Sequence, residues 1–165
     1  MKSTTFFVLI HFRNFIKASK GRGKGCGIFS LSSRKLSHET TVIQENYQLM
    51  SVVDETVLEN TYQLITVYLS SGCDLYQVVD NLSSLLVPNM KTIITGDFNF
   101  DRKKTNSLTK FLKDKMFVQK VSWPTLIQGK TLDQCWTNVS VQLTRHSVYY
   151  SDHDALCIEF THQLT

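Results

Sequence analysis

Apolar positions along this chain mostly alternate with polar ones or gather into short β-branched runs, a pattern that predicts strands. Gly27–Ser32, Thr41–Gln44, Gln48–Val53 and Gln63–Leu69 read this way, as do Lys91–Thr95, Thr131–Thr137, Val141–Tyr149 and Ala155–Phe160. An apolar run that starts at Phe6 and ends at His11 reads as one more buried strand. It lacks the long apolar core and small-residue cleavage site of a signal peptide. Asp74–Leu86 departs from the alternation. Leu75, Val78, Val79, Leu82, Leu85 and Leu86 follow i, i+3, i+4, i+7, Asp74 is placed to cap, and Pro88-Asn89 stops the run. That spacing predicts an amphipathic helix, and Leu108, Phe111 and Leu112 predict a second over Thr105–Lys115. Many strands with two helices in long connections predict an α+β or layered sandwich fold.

Composition narrows the class. At 42% hydrophobic and 19% charged, the chain is not disordered, collagen-like or coiled-coil, and its 165 residues fit one domain, 1–165. No run approaches the roughly 18 apolar residues of a bilayer span, so no membrane is expected as a partner. Cys26, Cys73, Cys135 and Cys157 are scattered, with no C-x-x-C pair and no histidine at zinc spacing. They fit plain buried thiols in a reduced, intracellular compartment, and the N-x-S triplets at Asn81 and Asn138 are too common by chance to argue for secretion.

Charge is unevenly placed. Lys17, Lys20, Arg22, Lys24, Arg34 and Lys35 follow one another with no acid between them, and Arg102-Lys103-Lys104 form a second basic cluster. A net charge of +4 is compatible with a polyanionic partner without demanding one. A solvated, Gly-rich loop accounts for the first cluster at least as well. Its Gly21-Arg-Gly-Lys-Gly-Cys-Gly27 matches neither the P-loop nor the dinucleotide spacing G-x-G-x-x-G.

The most informative segment is Ile93-Ile-Thr-Gly-Asp-Phe-Asn99. An apolar strand ends in a glycine and then presents Asp97 and Asn99, which strand alternation places on one face. A carboxylate can orient or deprotonate water, and a carboxamide can donate to a charged oxygen, a pairing that suits phosphoryl chemistry. The same D-x-N spacing also occurs in turns whose Asx side chains bond their own backbone. Ser151-Asp152-His153 stands before the last strand and could hold a divalent cation and a phosphate oxygen in one place. Asp133, in Thr131-Leu-Asp-Gln-Cys-Trp136, would be costly if buried alone, and His153 needs an orienting carboxylate. Pairing the two would satisfy both.

The order of these pieces is more specific than any one of them. Gly-Asp-Phe-Asn, then Trp123-Pro-Thr125 and Leu132-Asp133, then Ser-Asp-His resembles the endonuclease/exonuclease/phosphatase (DNase I-like) superfamily, over about residues 21–160. Gly-Arg-Gly-Lys-Gly before a strand, Val67-Tyr68 before the first helix and Thr137-Asn138 behind the aspartate look most like the endonuclease domains of mobile elements. The resemblance implies a layered β-sandwich of two mostly antiparallel sheets flanked by helices. It also implies a metal-dependent phosphodiester hydrolase, DNA as partner and a nuclear location.

Residue by residue, the resemblance makes Asp97 the group that positions or activates water. Asn99 becomes the amide facing developing phosphorane charge, Asp152 the metal-side carboxylate for Mg²⁺ or Mn²⁺, and His153 the phosphate contact oriented by Asp133. Tyr68 matches an active-site tyrosine, although Leu69-Ser70-Ser71 replaces the residues that usually follow it. Arg22, Lys24, Arg102 and Lys103 are the expected nucleic-acid contacts. The early strand ending in Asn and the metal-binding Glu have no equivalent, since Asn14 stands at the wrong distance and Glu39 and Glu45 follow the Gly-Arg-Gly loop. The expectation is therefore an N-terminally truncated domain, a poor enzyme by itself, with room for a missing N-terminal segment or a fused helicase or reverse-transcriptase region. Alternatively, Phe6–Phe12 fills the vacated sheet edge. Two other functions stay open: a truncated or degenerate non-catalytic relative, and a phosphatase acting on a small phosphorylated substrate.

Overall fold

Burial along the strands alternates between two different cores, and that alternation sets the layers. The computed structural model describes residues 3–8, 37–54, 61–147 and 152–161. Their strands are β1 (Ser3–Val8), β2 (Ser37–Ile43), β3 (Tyr47–Asp54), β4 (Tyr62–Leu69), β5 (Lys91–Asp97), β6 (Val118–Gln119), β7 (Asp133–Thr137), β8 (Gln142–His146) and β9 (Ala155–Thr161). The helices are α1 (Leu75–Leu85) and α2 (Ser107–Asp114). A six-stranded sheet runs in the order β2-β3-β4-β5-β7-β6, and a three-stranded sheet in the order β1-β9-β8.

On one face of the large sheet, Leu49, Ile65, Val67, Leu69, Ile94 and Trp136 pack against Val78 and Leu82 of α1 and Leu108 and Leu112 of α2. On the other face, Tyr62, Ile93 and Cys135 meet Leu156 and Ile158 of β9. The result is helices on sheet on sheet, the layered sandwich that the strand pattern and the family resemblance imply.

Local chemistry explains the helix limits. Asp74 Oδ1 accepts the Tyr76 N–H at 2.9 Å, and past Leu85 the chain turns extended ahead of Pro88. Asn106 and Thr109 form a reciprocal capping box, so α2 starts at Ser107 rather than Thr105. Buried Gln63 ties α1 to the sheet: its amide donates to Ser51 Oγ at 2.8 Å and Leu85 O at 2.6 Å. Its carbonyl accepts from the Val87 N–H at 3.2 Å and Thr92 Oγ1 at 3.3 Å.

Several bounds differ from the sequence reading. The N-terminal strand is Ser3–Val8, antiparallel to β9 with Phe6 opposite Ile158, so this segment does occupy an edge of the small sheet. β7 starts at Asp133 because the N–H groups of Thr131 and Leu132 turn aside to Asp101 Oδ2 and Thr125 Oγ1. The short edge strand β6 carried no sequence signal. Gly27–Ser32, the Arg22 and Lys24 loop, and Tyr149 lie outside the described residues.

β4 and β5 pair in parallel across α1, with Val67 opposite Gly96. Gly96 has φ +151°, and a Cβ there would lie 1.8 Å from the Val67 carbonyl oxygen. Only glycine fits this close approach of two strand backbones. Gly96→Ala should therefore cost about 3 kcal/mol or more, from the strained φ plus the overpacked contact. Urea unfolding checks this; a loss below about 1 kcal/mol would show that the strand pair relaxes freely.

Candidate active site

Strand register assembles the site. Tyr68, Asp97 and Asp133 are partners in one row across β4, β5 and β7. Counting by two from Ile93 and Cys135, which face the small sheet, puts Asp97 and Asp133 on the inter-sheet side at the end of the strands. Both carboxylates are buried, Asp97 at 2% exposure and Asp133 at 1%.

From the opposite side, His153 arrives on the segment just before β9. It is 6% exposed, and its Nδ1 lies 2.8 Å from Asp133 Oδ2. The structure thus brings Asp133 and His153 together as the buried-acid argument anticipated. The imidazole segment is seated by Thr125–Ile127, with an isolated bridge between Leu126 and His153, the Asp154 N–H on Thr125 O at 2.9 Å, and the Ile127 N–H on Asp152 O at 3.2 Å.

Thr125, which the sequence places in a motif without a task, supports the pair structurally. Its buried hydroxyl accepts the N–H of Leu132 at 3.1 Å and of Asp133 at 3.0 Å. Its carbonyl holds Asp154, so one residue fixes the segments carrying both halves of the Asp133–His153 pair. The signal that could have found it is a buried hydroxyl between a proline turn and an apolar-acidic strand start.

One expectation needs correcting. Asp97 and Asn99 do not leave a strand on one face, because β5 ends at Asp97. The Asn99 N–H donates to Asp97 Oδ1 at 2.9 Å, and Asn99 takes φ +53°, with its side chain exposed. This is an Asx-type turn: the carboxylate that would have pulled Asn99 alongside instead accepts its backbone N–H. Asn99 stays next to Asp97, but a turn presents it.

Electrostatics follow from burial. Desolvation pushes the Asp97 carboxyl up to about 6, and the neighbouring charge of Asp133 adds to this, while the Asn99 N–H and His153 oppose it and Asp152 adds again. Burial by itself would lower the His153 imidazole. The hydrogen bond and charge of Asp133, with the charges of Asp97 and Asp152, outweigh it and hold His153 above its ordinary value. Asp152 is thus close enough to act on both groups.

Among the described residues no group of three His, Cys, Asp or Glu side chains is placed to hold a metal ion. Asp133 Oδ1 is buried without a hydrogen-bond partner among them. The basic cluster adjoins the site: the Arg102 N–H donates to Thr131 O at 3.1 Å, and Asp101 Oδ2 accepts from Thr131 N at 3.2 Å. Arg102 and Asp101 are therefore joined through the backbone of Thr131 to the segment that leads into Asp133. No helix among the described residues is long and apolar enough to cross a membrane.

No protein-family model matches the chain, and no curated protein matches it. Its structure is similar to that of an endonuclease/exonuclease/phosphatase family protein from Leptotrichia buccalis C-1013-b. The TM-score is 0.59 at 12% identity, covering 99% of this chain and 72% of that one. At that identity the likeness is one of fold. The chain has the fold of the endonuclease/exonuclease/phosphatase, or DNase I-like, superfamily.

The raised Asp97 carboxyl has a stability consequence whose sign is opposite to that of a salt-bridged acid. The folded state holds the Asp97 proton more tightly than the unfolded chain, so its contribution is complete at low pH and is lost as pH rises through about 6. Asp97→Asn keeps the oxygen that accepts the Asn99 N–H and removes the buried charge. In EDTA it should stabilise the fold by about 2 kcal/mol near pH 8, a gain that shrinks toward zero below about pH 4. Urea unfolding across that range is the check; a destabilised Asp97→Asn at the alkaline end would show that Asp97 is not held against its ionisation.

Proposed function

We propose that this chain is a phosphodiester hydrolase acting on DNA, in the manner of a mobile-element endonuclease. One observation carries the reading: buried Asp97, pushed into the near-neutral range, stands beside an imidazole held by a second buried carboxylate. A general base works best when its proton affinity is close to the working pH, which is where burial puts Asp97.

Hydrolysis adds water across one P–O bond. Asp97 orients the attacking water and accepts its proton as the oxygen closes on phosphorus, while the opposite P–O ester bond breaks and its oxygen leaves and takes a proton from solvent. Asp133 takes the Nδ1–H of His153, which fixes the tautomer and turns the other ring nitrogen, Nε2, toward a phosphoryl oxygen. Because His153 is held above its ordinary value, the ring carries a positive charge over a wider pH range and stabilises the charge growing on that oxygen. Asn99, exposed at the turn beside Asp97, and Tyr68, in the same row, are the proposed further contacts to the phosphoryl group.

Mg²⁺ or Mn²⁺ is the proposed cofactor on donor chemistry: Asp152 offers a hard carboxylate, which suits a cation that keeps most of its waters. Such an ion would stabilise phosphoryl charge as a Lewis acid. The described residues do not by themselves complete a metal site, so the roles above belong to side chains alone. Arg102, Lys103, Lys104 and Lys130, on chain segments that lead to Asp133, favour an extended polyanion over a small phosphorylated molecule. A nuclear location is the proposal that accompanies a DNA substrate.

The test is a plasmid-nicking assay with Mg²⁺ alongside a binding assay. Asp97→Leu and His153→Ala should each lower cleavage at least a hundredfold, about 3 kcal/mol of transition-state stabilisation, with duplex affinity changed less than about threefold. Cleavage that survives both substitutions would remove the nuclease reading.

A further inference from the structure

The hydrolysis described above does not use Arg145. Arg145 stands near the end of β8 opposite Leu156, whose side chain lies in the inter-sheet core. Val141 and Leu143, on the same face of this segment, pack against that core. Arg145 continues their row past the last apolar contact, where its side chain is 47% exposed. The strand end it occupies adjoins Asp154, the residue directly after His153.

The guanidinium is tied at one of its nitrogens. Arg145 Nε donates to Asp154 Oδ2 at 2.6 Å, and the Asp154 side chain is 12% exposed. Asp154 is itself held by its N–H on the carbonyl of Thr125, the residue whose hydroxyl steadies Asp133. Among the described residues no other acceptor takes the remaining guanidinium N–H groups. An arginine tied through Nε leaves its terminal Nη groups as a planar pair of donors, a fork that matches two oxygens of one phosphate. A half-exposed ion pair adds little to stability.

We propose that Arg145 binds a backbone phosphate of the nucleic acid next to the one being cleaved, with Asp154 as its positioning residue. The inference rests on the phosphodiesterase reading of the site. Its function is to set the register of the strand, so that the target ester meets Asp97 and His153.

The full chain tests it through fluorescence anisotropy with a labelled DNA duplex, at salt from about 50 to 300 mM. Arg145→Met keeps the apolar stem and should weaken low-salt binding by about tenfold. It should also lower the slope of log affinity against log salt by about one, the value of a single phosphate contact. Arg145→Lys should restore the slope while recovering only part of the affinity, because a point charge replaces the fork. A purely structural role would move the urea midpoint and leave the slope alone. A wild-type chain that binds and nicks DNA, with an unchanged slope in Arg145→Met and Arg145→Lys, would overturn the Arg145 assignment and leave the nuclease reading standing. A wild-type chain that fails to bind duplex at the lowest salt would overturn both.

Discussion

The hydrogen bond between Asp133 and His153 is the interaction on which the site depends. It joins a strand of the large sheet to the segment that leads into the small one, where Asp133 is 1% and His153 6% exposed. A carboxylate at that depth without a partner would be strongly destabilising, and so would a charged imidazole. Each makes the other tolerable. The Asp133 charge also acts on Asp97 and helps to keep that carboxyl protonated further toward neutral pH. One buried acid thereby raises the proton affinity of both neighbours, adding to the effect of burial on Asp97 and opposing it on His153.

Such a site opposes folding, and the fold absorbs it elsewhere. Gly96 gives up a side chain to the strand contact, Asn99 takes a left-handed backbone, and Asp133 Oδ1 is buried without a partner among the described residues. The compensation lies in the two apolar cores on either face of the central sheet. Leu49, Ile65, Leu69 and Ile94 with the helices hold one side, and Ile93, Cys135, Leu156 and Ile158 hold the other. Apolar packing and buried acids are thus separated along the same strands: the apolar residues fill the middle of β5 and β7, and the acids stand at one end.

How much of this was legible depends on whether a feature is local. The α1 stripe and the Asp74 cap are local, and both were readable from spacing. The pairing of Asp133 with His153 was also readable, because a buried charge with no partner is too costly to leave alone. For Asn99 the strand-face placement fails and the Asx turn that the same spacing allows is what forms, because alternation holds only while the strand continues and the Asp97 carboxylate accepts the Asn99 N–H. The start of β7 was placed too early, since Thr131 and Leu132 look like strand residues but give their N–H groups to Asp101 and Thr125. The service of Thr125 and the Arg145–Asp154 pair are tertiary contacts, and no spacing rule along the chain announces them.

Burial and Asp133 together govern the charge on His153. The direct measurement is an NMR titration of the His153 ring protons in EDTA, in the wild type and in Asp133→Asn. In the wild type the midpoint should lie above the ordinary imidazole range. In Asp133→Asn the supporting charge is gone, burial dominates, and the midpoint should drop well below the wild-type one. A wild-type His153 that titrates at or below the ordinary value, or a midpoint that Asp133→Asn leaves in place, would contradict the account.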